Sequence, residues 1–401
     1  MKTLTKHVQQ VAGEERGAVL VQVAIAMLVM TAMATFVVDH GVLWVSRGQA
    51  QNAADAGALS GAIARAYDEL TNPPASNGIA YSSATGAALA NNVWTAAPAV
   101  QVSWACPSGI GGSCVRVDVY RNGEFGSTPL PTIFGKLLNI SSQGVRATAT
   151  ASVASGNSTN CMRPFAVADK WIEQAGEVDQ FNHWEKGQEL DPRDEYVPPS
   201  ATSPGSGFRL PDDFGQQITL KSGNPNAGSE PITPGWHLPV RLPGASGGDD
   251  FRDAIANCIG SPVVIGQYLP VESGVMNGPT NQGIGGLVAK DSGASWDSAS
   301  QRIKGSCAPG CAPTSPRVVP IAVFDIDEFQ RRTETNDWTS APCPTGGKCV
   351  RVVNILGFFV DGMGGGGEVI GHLVSLPGEF VSGAPSVGGG ASFLVKIQLV
   401  R

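Results

Sequence analysis

Residues 18–38 read AVLVQVAIAMLVMTAMATFVV, and this stretch includes no charged side chain. As an α-helix rising 1.5 Å per residue, the stretch would be about 31 Å long, which matches the roughly 30 Å hydrocarbon core of a bilayer. Lys2, Lys6 and Arg16 precede it and only Arg47 follows closely. The positive-inside rule then places the N-terminus in the cytoplasm. We therefore predict a single-pass membrane helix with the rest of the chain exported.

A secretory signal peptide is the alternative interpretation of this stretch. Lys2 and Lys6 form a basic start, and residues 32–34 (Ala-Met-Ala) offer a small-residue cleavage site. The apolar run is longer than a usual signal core and continues beyond that site. The sequence therefore favours an anchor that stays in the membrane.

The composition of the 401 residues excludes several classes of function. Charged residues make up only 15% of the chain, and the formal net charge of −7 argues against a non-specific nucleic-acid binder. The five histidines are scattered, which argues against a His-built metal or catalytic site. We expect no cofactor, no nucleic-acid partner and no small-molecule substrate.

The eight cysteines are consistent with an exported chain, because disulfides persist in oxidising compartments. Three pairs bracket short Gly- or Pro-rich turns, and the remaining two cysteines would form a long-range pair. The expected disulfides are Cys106–Cys114, Cys161–Cys258, Cys307–Cys311 and Cys343–Cys349. A zinc site formed by the last four cysteines is the alternative, although their C-x3-C and C-x5-C spacings differ from the usual C-x2-C knuckle.

A helix with a small-residue face is predicted beyond the apolar stretch. Residues four apart lie on one face of a helix, and small side chains there let another backbone approach closely. The main row is Ala50, Ala54, Ala58 and Ala62, continued by Ala66, with Ala53, Gly57, Gly61 and Ala64 beside it. Asp55 is a candidate for capping or pairing with a partner group, the alternative being a solvated helix residue. We expect one helix from about Ala18 to Leu70 that begins in the bilayer and ends packed on the exported domain.

The pattern around this helix is an Arg-Gly pair before the apolar stretch, then Asp-x-Gly, an Arg, a Gln and an Ala-Ala-Asp-Ala run. Its members are Arg16-Gly17, Asp39 with Gly41, Arg47, Gln51-Asn52 and Ala53-Ala54-Asp55-Ala56. This pattern resembles the N-terminal signature of the Flp pilus-assembly TadE/TadG-like family. Weaker similarity to TadG-like exported regions continues at 145–151, 161–171, 276–291 and 296–301. The resemblance implies an envelope component associated with tight-adherence pili, in a family that is not one of enzymes.

The chain departs from the family pattern in two respects. Members processed by a prepilin peptidase have a Glu five residues after the cleaved Gly, whereas Gln22 stands at the corresponding position after Gly17. This favours an uncleaved anchor over a processed pilin. Some TadG-like chains also contain a von Willebrand-type domain with an Asp-x-Ser-x-Ser metal site, and residues 291–295 and 297–300 both miss that motif.

We expect an α+β protein, in which a long N-terminal transmembrane helix extends into a β-rich, disulfide-stabilised exported domain. Alternating apolar positions predict a hairpin of 100–104 with 115–120 and a strand over 145–153. Further strands are predicted over 318–324, 350–360 and 392–400, and helices over 132–138 and 249–259. The predicted organisation is a cytoplasmic tail (1–17), a transmembrane helix (18–39), an Ala-rich helix extension (40–70), a small β-rich pilin-like unit (71–155) and a loop-rich α+β exported domain (156–401).

Two chemical motifs have structural alternatives that we favour. Residues 244–248 satisfy the G-x-S-x-G pattern of a hydrolase nucleophile at Ser246, with His372 the only histidine downstream. Pro243 suits the end of a central strand poorly, so we interpret the motif as a linker that caps the next helix. Asp325, Asp327 and Glu328, or the acidic stretch 185–195, offer oxygen ligands for calcium, but neither fits EF-hand spacing.

The sequence as a whole favours a membrane-anchored, non-catalytic structural or assembly component of an Flp-type pilus or a related envelope machine. The expected location is the bacterial inner membrane, with the bulk of the chain in the periplasm or at the cell surface. The expected partners are the lipid bilayer and other pilus-assembly or envelope proteins. A processed minor pilin and a surface adhesin or binding module are the alternatives.

Overall fold

The computed structural model describes residues 2–70, 74–174, 181, 194–223, 232–233, 235–339, 343, 347–388 and 390–400. The chain divides by its internal contacts into two compact units. The first unit comprises residues 1–65, 74–152 and 398–401, and the second comprises 66–73 and 153–397. The C-terminal residues belong to the first unit, which the sequence did not indicate.

The N-terminal helix α1 runs without interruption over Lys2–Tyr67. Its apolar stretch is exposed on every side of the helix, since every side chain from 17 to 33 is exposed. Leu20 is 72% exposed and Phe36 is 66% exposed. Within the described residues, Gly17–Tyr67 is long and apolar enough to cross a membrane. A helix that is apolar all round requires apolar surroundings to be stable.

The first unit packs a second helix and a small sheet beside the later part of α1. Strands β1 and β2 pair antiparallel, with Ala99 opposite Tyr120, so the predicted hairpin around the Cys106–Cys114 loop is present. The strand expected over 145–153 is present as β5, next to β2. The elements are α2 (Ile79–Leu89), β1 (Ala99–Ser103), β2 (Ser113–Arg121), β3 (Leu130–Pro131), β4 (Ser142–Gln143) and β5 (Val145–Ser155).

The helix expected over 132–138 is shorter than the sequence suggested. A 3₁₀ helix covers only Gly135–Leu138. Leu130 and Pro131 pair instead with Gln143 and Ser142 as the short ribbon β3–β4. The Thr132 hydroxyl donates a hydrogen bond to the Ile140 carbonyl, which closes the loop between these strands. Because this ribbon fixes both ends of the segment, a single helical turn fits between them.

The second unit contains most of the strands and three helices. The helix expected over 249–259 and the strands expected over 318–324, 350–360 and 392–400 are present with shifted ends. The strands are β6 (Ser158–Thr159), β7 (Arg163–Ala168), β8 (Gln217–Ser222), β9 (Trp236–Pro239), β10 (Val263–Val264), β11 (Tyr268–Pro270), β12 (Ser295–Asp297), β13 (Arg302–Lys304), β14 (Val318–Phe324), β15 (Cys349–Met363), β16 (Val369–Val374), β17 (Leu376–Pro377) and β18 (Leu394–Val400). The helices are α3 (Gly247–Ala256), α4 (Asn277–Ala289) and α5 (Ile326–Thr335).

Six strands of the second unit pair in a closed ring. The order is β15-β14-β7-β9-β8-β16, and β16 pairs again with β15. The pairs β14–β7 and β8–β9 are parallel and the other pairs are antiparallel. Closing the sheet removes its exposed edges. The sequence predicted strands in this region but not their closure into a barrel.

Both faces of the barrel strands are buried, which explains their continuous apolar sequences. On β14, Val319, Ile321 and Val323 belong to one buried cluster, whereas Ala322 and Phe324 belong to another. Neighbouring residues of a strand point to opposite faces. Helices α3 and α4 supply residues to the first cluster, and α5 supplies residues to the second.

Two helices of this unit were not predicted. The glycine-rich segment of α4 has low intrinsic helix propensity. It packs so closely on α3 that a Cβ at Gly283 would lie 2.7 Å from Cβ of Ile255. Helix α5 begins at Asp325, whose carboxylate accepts a hydrogen bond from the backbone N–H of Glu328. Packing against α3 therefore stabilises α4 despite its glycines, and the Asp325 side-chain cap stabilises the start of α5.

The structure places the eight cysteines in the four pairs that the sequence analysis expects. Cys161 and Cys258 lie 97 residues apart in sequence with their Cα atoms 4.7 Å apart. The other pairs close loops of eight residues or fewer: Cys106–Cys114, Cys307–Cys311 and Cys343–Cys349. Within the described residues, no group of three or more His, Cys, Asp or Glu side chains is placed to hold a metal ion.

Replacing both Cys161 and Cys258 with Ser should destabilise the second unit by about 2–4 kcal/mol, because this disulfide restricts a long segment of the unfolded chain. The matched control is the double replacement Cys307→Ser and Cys311→Ser, which opens a loop of only four residues. We expect a clearly smaller loss for the control. Urea unfolding of the full oxidised chain measures both, and equal losses would contradict the expectation.

Candidate helix-packing site and buried charge clusters

The small-residue face of α1 is filled by the chain's own first unit. All four side chains of the main row have no exposed surface: Ala50, Ala54, Ala58 and Ala62. A Cβ at Gly57 would lie 2.9 Å from the carbonyl oxygen of Ala84 in α2. A Cβ at Gly61 would lie 2.7 Å from Val115 Cγ1 in β2. The close backbone approach therefore takes place inside one chain, between α1 and both α2 and β2.

Asp55 lies half-buried at the margin of this face. The Gln51 side-chain amide donates a hydrogen bond of 2.8 Å to the Asp55 carboxylate and one of 3.2 Å to the carbonyl of Thr148. A groove of about 420 Å³ lies beside Gln51, Asp55 and Thr148, and Leu399 of β18 borders it as well. Asp55 therefore has a partner on its own helix, one turn before it.

Asp39 joins the end of the apolar stretch to the loop before the 3₁₀ helix. Its carboxylate accepts hydrogen bonds from the backbone N–H groups of Ile133, at 2.8 Å, and Gly135, at 2.6 Å. The Gln143 side chain donates to the Asp39 carbonyl at 3.0 Å. A carboxylate at the N-terminal end of a helical turn compensates N–H groups that lack intrahelical partners. The sequence pattern includes Asp39 but does not predict these contacts.

A charge cluster lies on β2 and β5 of the first unit. Asp118 pairs with Arg116 at 3.1 Å and with Arg146 at 3.0 Å. The Thr148 hydroxyl also donates a hydrogen bond to this carboxylate. Partial burial opposes ionisation of Asp118, but hydrogen bonds from Thr148, Arg116 and Arg146 outweigh it and lower the pKa. The cluster therefore holds one carboxylate between two guanidinium groups.

A second charge cluster lies in the second unit and includes residues considered as calcium ligands. Arg351 pairs with both Asp325 and Glu328. Glu328 also pairs with Arg332 at 2.9 Å and accepts a hydrogen bond of 2.8 Å from the Tyr268 hydroxyl. These partners give Asp325 and Glu328 structural roles at the start of α5. The other calcium candidate, 185–195, lies largely outside the described residues.

Asp169 is a fully buried acid at the end of β7. It accepts hydrogen bonds from the backbone N–H groups of Lys170 and Phe208, both at 3.0 Å, and from the Tyr196 hydroxyl at 3.1 Å. Burial nevertheless raises the pKa of Asp169 to about 7. The nearby charge of Asp325 adds to this rise.

The structure gives the candidate nucleophile and the downstream histidine different surroundings. Ser246 precedes α3, and its backbone N–H donates a hydrogen bond of 2.8 Å to Asp250. His372 lies 2.7 Å from the Asp361 carboxylate and stacks on Trp296 with ring centroids 4.9 Å apart. Ser246 therefore stands at the N-cap position of α3, although its hydroxyl makes no capping hydrogen bond, and the linker interpretation of residues 244–248 stays a prediction.

Comparison with known proteins supports the N-terminal resemblance. Residues 17–65 match the model of a family described as putative Flp pilus-assembly TadE/G-like. The predicted family resemblance is therefore confirmed over the apolar helix and its small-residue extension. The match indicates a role related to the assembly of Flp, or tight-adherence, pili. No curated protein and no solved structure matched the chain.

Replacing Gly61 with Ala should destabilise the first unit, whereas the same change at Gly48 should stabilise it. Both glycines lie in α1, where Ala is favoured over Gly by about 1 kcal/mol. At Gly48 a Cβ meets nothing within 4 Å, so that gain is realised. At Gly61 the Cβ would lie 2.7 Å from Val115 and 2.8 Å from Ala84. Overpacking of this kind costs about 1–3 kcal/mol. Thermal unfolding of the full chain in detergent measures both, and two shifts of the same sign would contradict the packing described.

Replacing Asp169 with Asn should change how stability depends on pH. Because the folded pKa is raised from 3.8 to about 7, the contribution of this acid is complete below about pH 4 and lost as the pH rises through 7. An Asn can keep the same hydrogen-bond partners without a charge. The free energy of unfolding of the wild type minus that of the variant should therefore fall between pH 4 and pH 7.

The free energy of unfolding must be compared between the wild type and the variant at each pH, because His237 changes stability with pH in the opposite direction to Asp169. Burial lowers the pKa of His237 from 6.5 to about 4, so its contribution is lost as the pH falls through that range. His237 is present in both proteins and cancels in the difference. Urea unfolding at several pH values gives the result, and a difference that does not change with pH would contradict the assignment to Asp169.

Proposed function

We propose that this protein is a membrane-anchored, non-catalytic structural or assembly component of a tight-adherence pilus or a related envelope machine. The observation that carries the proposal is the continuity of α1. One helix exposes apolar side chains on every side over residues 17–33 and buries an alanine face inside a folded unit over residues 50–62. Such a helix places a folded unit at a fixed distance from a bilayer. The family match over residues 17–65 supports the association with pili.

The contacts made by polar groups support a structural role. Acidic side chains of the two charge clusters are paired with arginines, and Ser246 precedes a helix as part of its capping segment. The small face of α1 is filled from within the chain, so assembly with other proteins would use other surfaces. In this proposal the N-terminus lies in the cytoplasm and the disulfide-paired units lie outside the inner membrane, where disulfides persist.

The N-terminal sequence and intact mass of the protein recovered from membranes test this proposal. We expect a chain that begins at Met1 or Lys2 and stays in the membrane pellet after alkaline extraction. A chain that begins at Ala18 would show processing despite Gln22 and would make the protein a pilus subunit. A soluble chain that begins near Thr35 would show that the apolar stretch is a signal peptide and would overturn the proposal.

Co-isolation distinguishes assembly from adhesion. After mild crosslinking and detergent extraction, an assembly component should be recovered with pilus-assembly proteins of the inner membrane. Surface exposure on intact cells without these partners would favour the adhesin alternative.

A further inference from the structure

A pocket opens beside α1 shortly after the apolar stretch, within the first unit. Its volume is about 380 Å³. One wall is formed by α1, with His40, Trp44 and Arg47, and the other by the start of β5, with Gly144 and Arg146. The family match and the packing face do not assign a role to this pocket. Under the proposed function, it lies where the helix leaves the bilayer.

The charges around the pocket favour an anion. Arg47 is exposed and makes no hydrogen bond or ion pair with the part of the chain that the structure describes. Arg146 is half-exposed and shares the single carboxylate of Asp118 with Arg116. Among the described residues, those that line the pocket supply two guanidinium groups, Arg47 and Arg146, and no carboxylate. The carboxylates that act on Arg146, Asp118 and Glu124, lie outside this lining. The planar guanidinium group matches the geometry of phosphate oxygens and binds them with paired hydrogen bonds.

Aromatic side chains connect the pocket to the apolar stretch. Phe36 stacks on His40 with ring centroids 5.3 Å apart. The Trp44 indole N–H donates a hydrogen bond of 2.6 Å to Nε2 of His40. These residues are spaced by four and lie on one face of α1, and Trp44 is 65% exposed. Tryptophan at the end of an apolar helix is typical of the membrane–water interface.

The position of the pocket along the helix matches the headgroup layer. Arg47 follows Val38 by nine residues, or about 13 Å of helix rise. Helical side chains point back toward the N-terminus, and a long Arg stem carries its charge with it. The guanidinium group of Arg47 is therefore directed toward the bilayer, beside His40. The headgroup layer extends roughly 5–8 Å beyond the hydrocarbon core.

We infer that this pocket binds the phosphate of an anionic phospholipid headgroup, with Arg47 and Arg146 donating to the phosphate oxygens and Trp44 packing on the glycerol. This inference rests on the proposed membrane-anchored function. The bound lipid would hold the start of β5 against the membrane surface and fix the orientation of the first unit there. The two arginines would recognise the phosphodiester group of the lipid. Free phosphate could make the same hydrogen bonds and is therefore the alternative ligand.

Lipid titration of the full-length protein tests the inference. The protein is purified in a neutral detergent, phosphatidylglycerol is added in mixed micelles, and bound lipid is counted by native mass spectrometry. We expect one phosphatidylglycerol per chain, and weaker binding of phosphatidylcholine. Arg47→Gln should weaken phosphatidylglycerol binding about tenfold, as loss of one charge-assisted contact would do. Arg146→Gln should weaken it similarly.

The matched control is Arg116→Gln. Arg116 pairs with the same carboxylate as Arg146 but does not line the pocket. Its replacement should leave lipid binding within twofold of the wild type. Equal binding to all variants, or equal binding of phosphatidylcholine and phosphatidylglycerol, would overturn the inference. Displacement of the lipid by inorganic phosphate at the same concentration would assign the pocket to free phosphate instead.

Alkaline extraction of membranes separates this inference from the proposed function. The wild type and all three variants should remain in the membrane pellet, because the apolar stretch is unchanged. If they remain there and Arg47→Gln binds lipid normally, the pocket has no lipid role while the anchor stands. If the wild type is extracted, the proposed function fails and the inference fails with it.

Discussion

The close approach between α1 and α2 is the contact on which the first unit depends. It requires side chains no larger than a methyl group at the buried positions between residues 50 and 64 of α1, and at Gly57 and Gly61 it requires none. Packing at this density leaves little room for adjustment, since protein interiors are filled as tightly as organic crystals. Gly57 and Gly61 of α1 lie against Ala80, Ala84 and Ala88 of α2, and Val115 and Val117 of β2 complete the contact. Helix α1 is therefore part of the core of the first unit, and the strands of that unit pack against it.

The same helix has two environments along its length. Its apolar stretch is exposed on every side, whereas its alanine face is buried. The change from the exposed to the packed part of α1 occurs at Asp39. Its carboxylate and its carbonyl both accept hydrogen bonds from the loop and strand that follow β3. A buried carboxylate at this point is stabilised by backbone N–H groups rather than by a cation. Residues of the matched segment therefore have definite contacts: Asp39 attaches a loop, and Gln51 links α1 to β5.

Sequence patterns predicted a helix or strand correctly where the residues favour the same structure locally as they adopt in the folded chain. The charge-free stretch, the four-residue spacing of alanines and the alternation in 145–153 all correspond to described elements. The proximity of cysteines in sequence indicated three pairs, and the remaining pair followed from them. The barrel was not predictable in this way, because β14 and β15 are buried on both faces and show no alternation. Helix α4 was missed because it is rich in glycine, and the close packing of Gly283 on α3 is visible only in the folded unit.

Residue roles were harder to predict than elements for a physical reason. Asp325 and Glu328 attract attention as a carboxylate cluster, but Arg351, which pairs with both, lies on β15, more than 20 residues further along the chain. Arg146 and Arg47 are far apart in sequence and share a pocket only because β5 lies beside α1. Long-range partners of this kind decide whether a charge is structural or available for binding.

In the proposed function, the uninterrupted helix α1 serves both as a membrane anchor and as part of a folded unit. The distance between spin labels at Met33→Cys and Ile63→Cys, measured by pulsed electron paramagnetic resonance in bilayer nanodiscs, tests it most directly. Both side chains are exposed, at 63% and 50%. An intact helix, with its rise of about 1.5 Å per residue, predicts a narrow distribution centred at about 45 Å. A broad distribution, or one centred at a clearly shorter distance, would show that the helix breaks between the apolar stretch and the alanine face and would contradict the account.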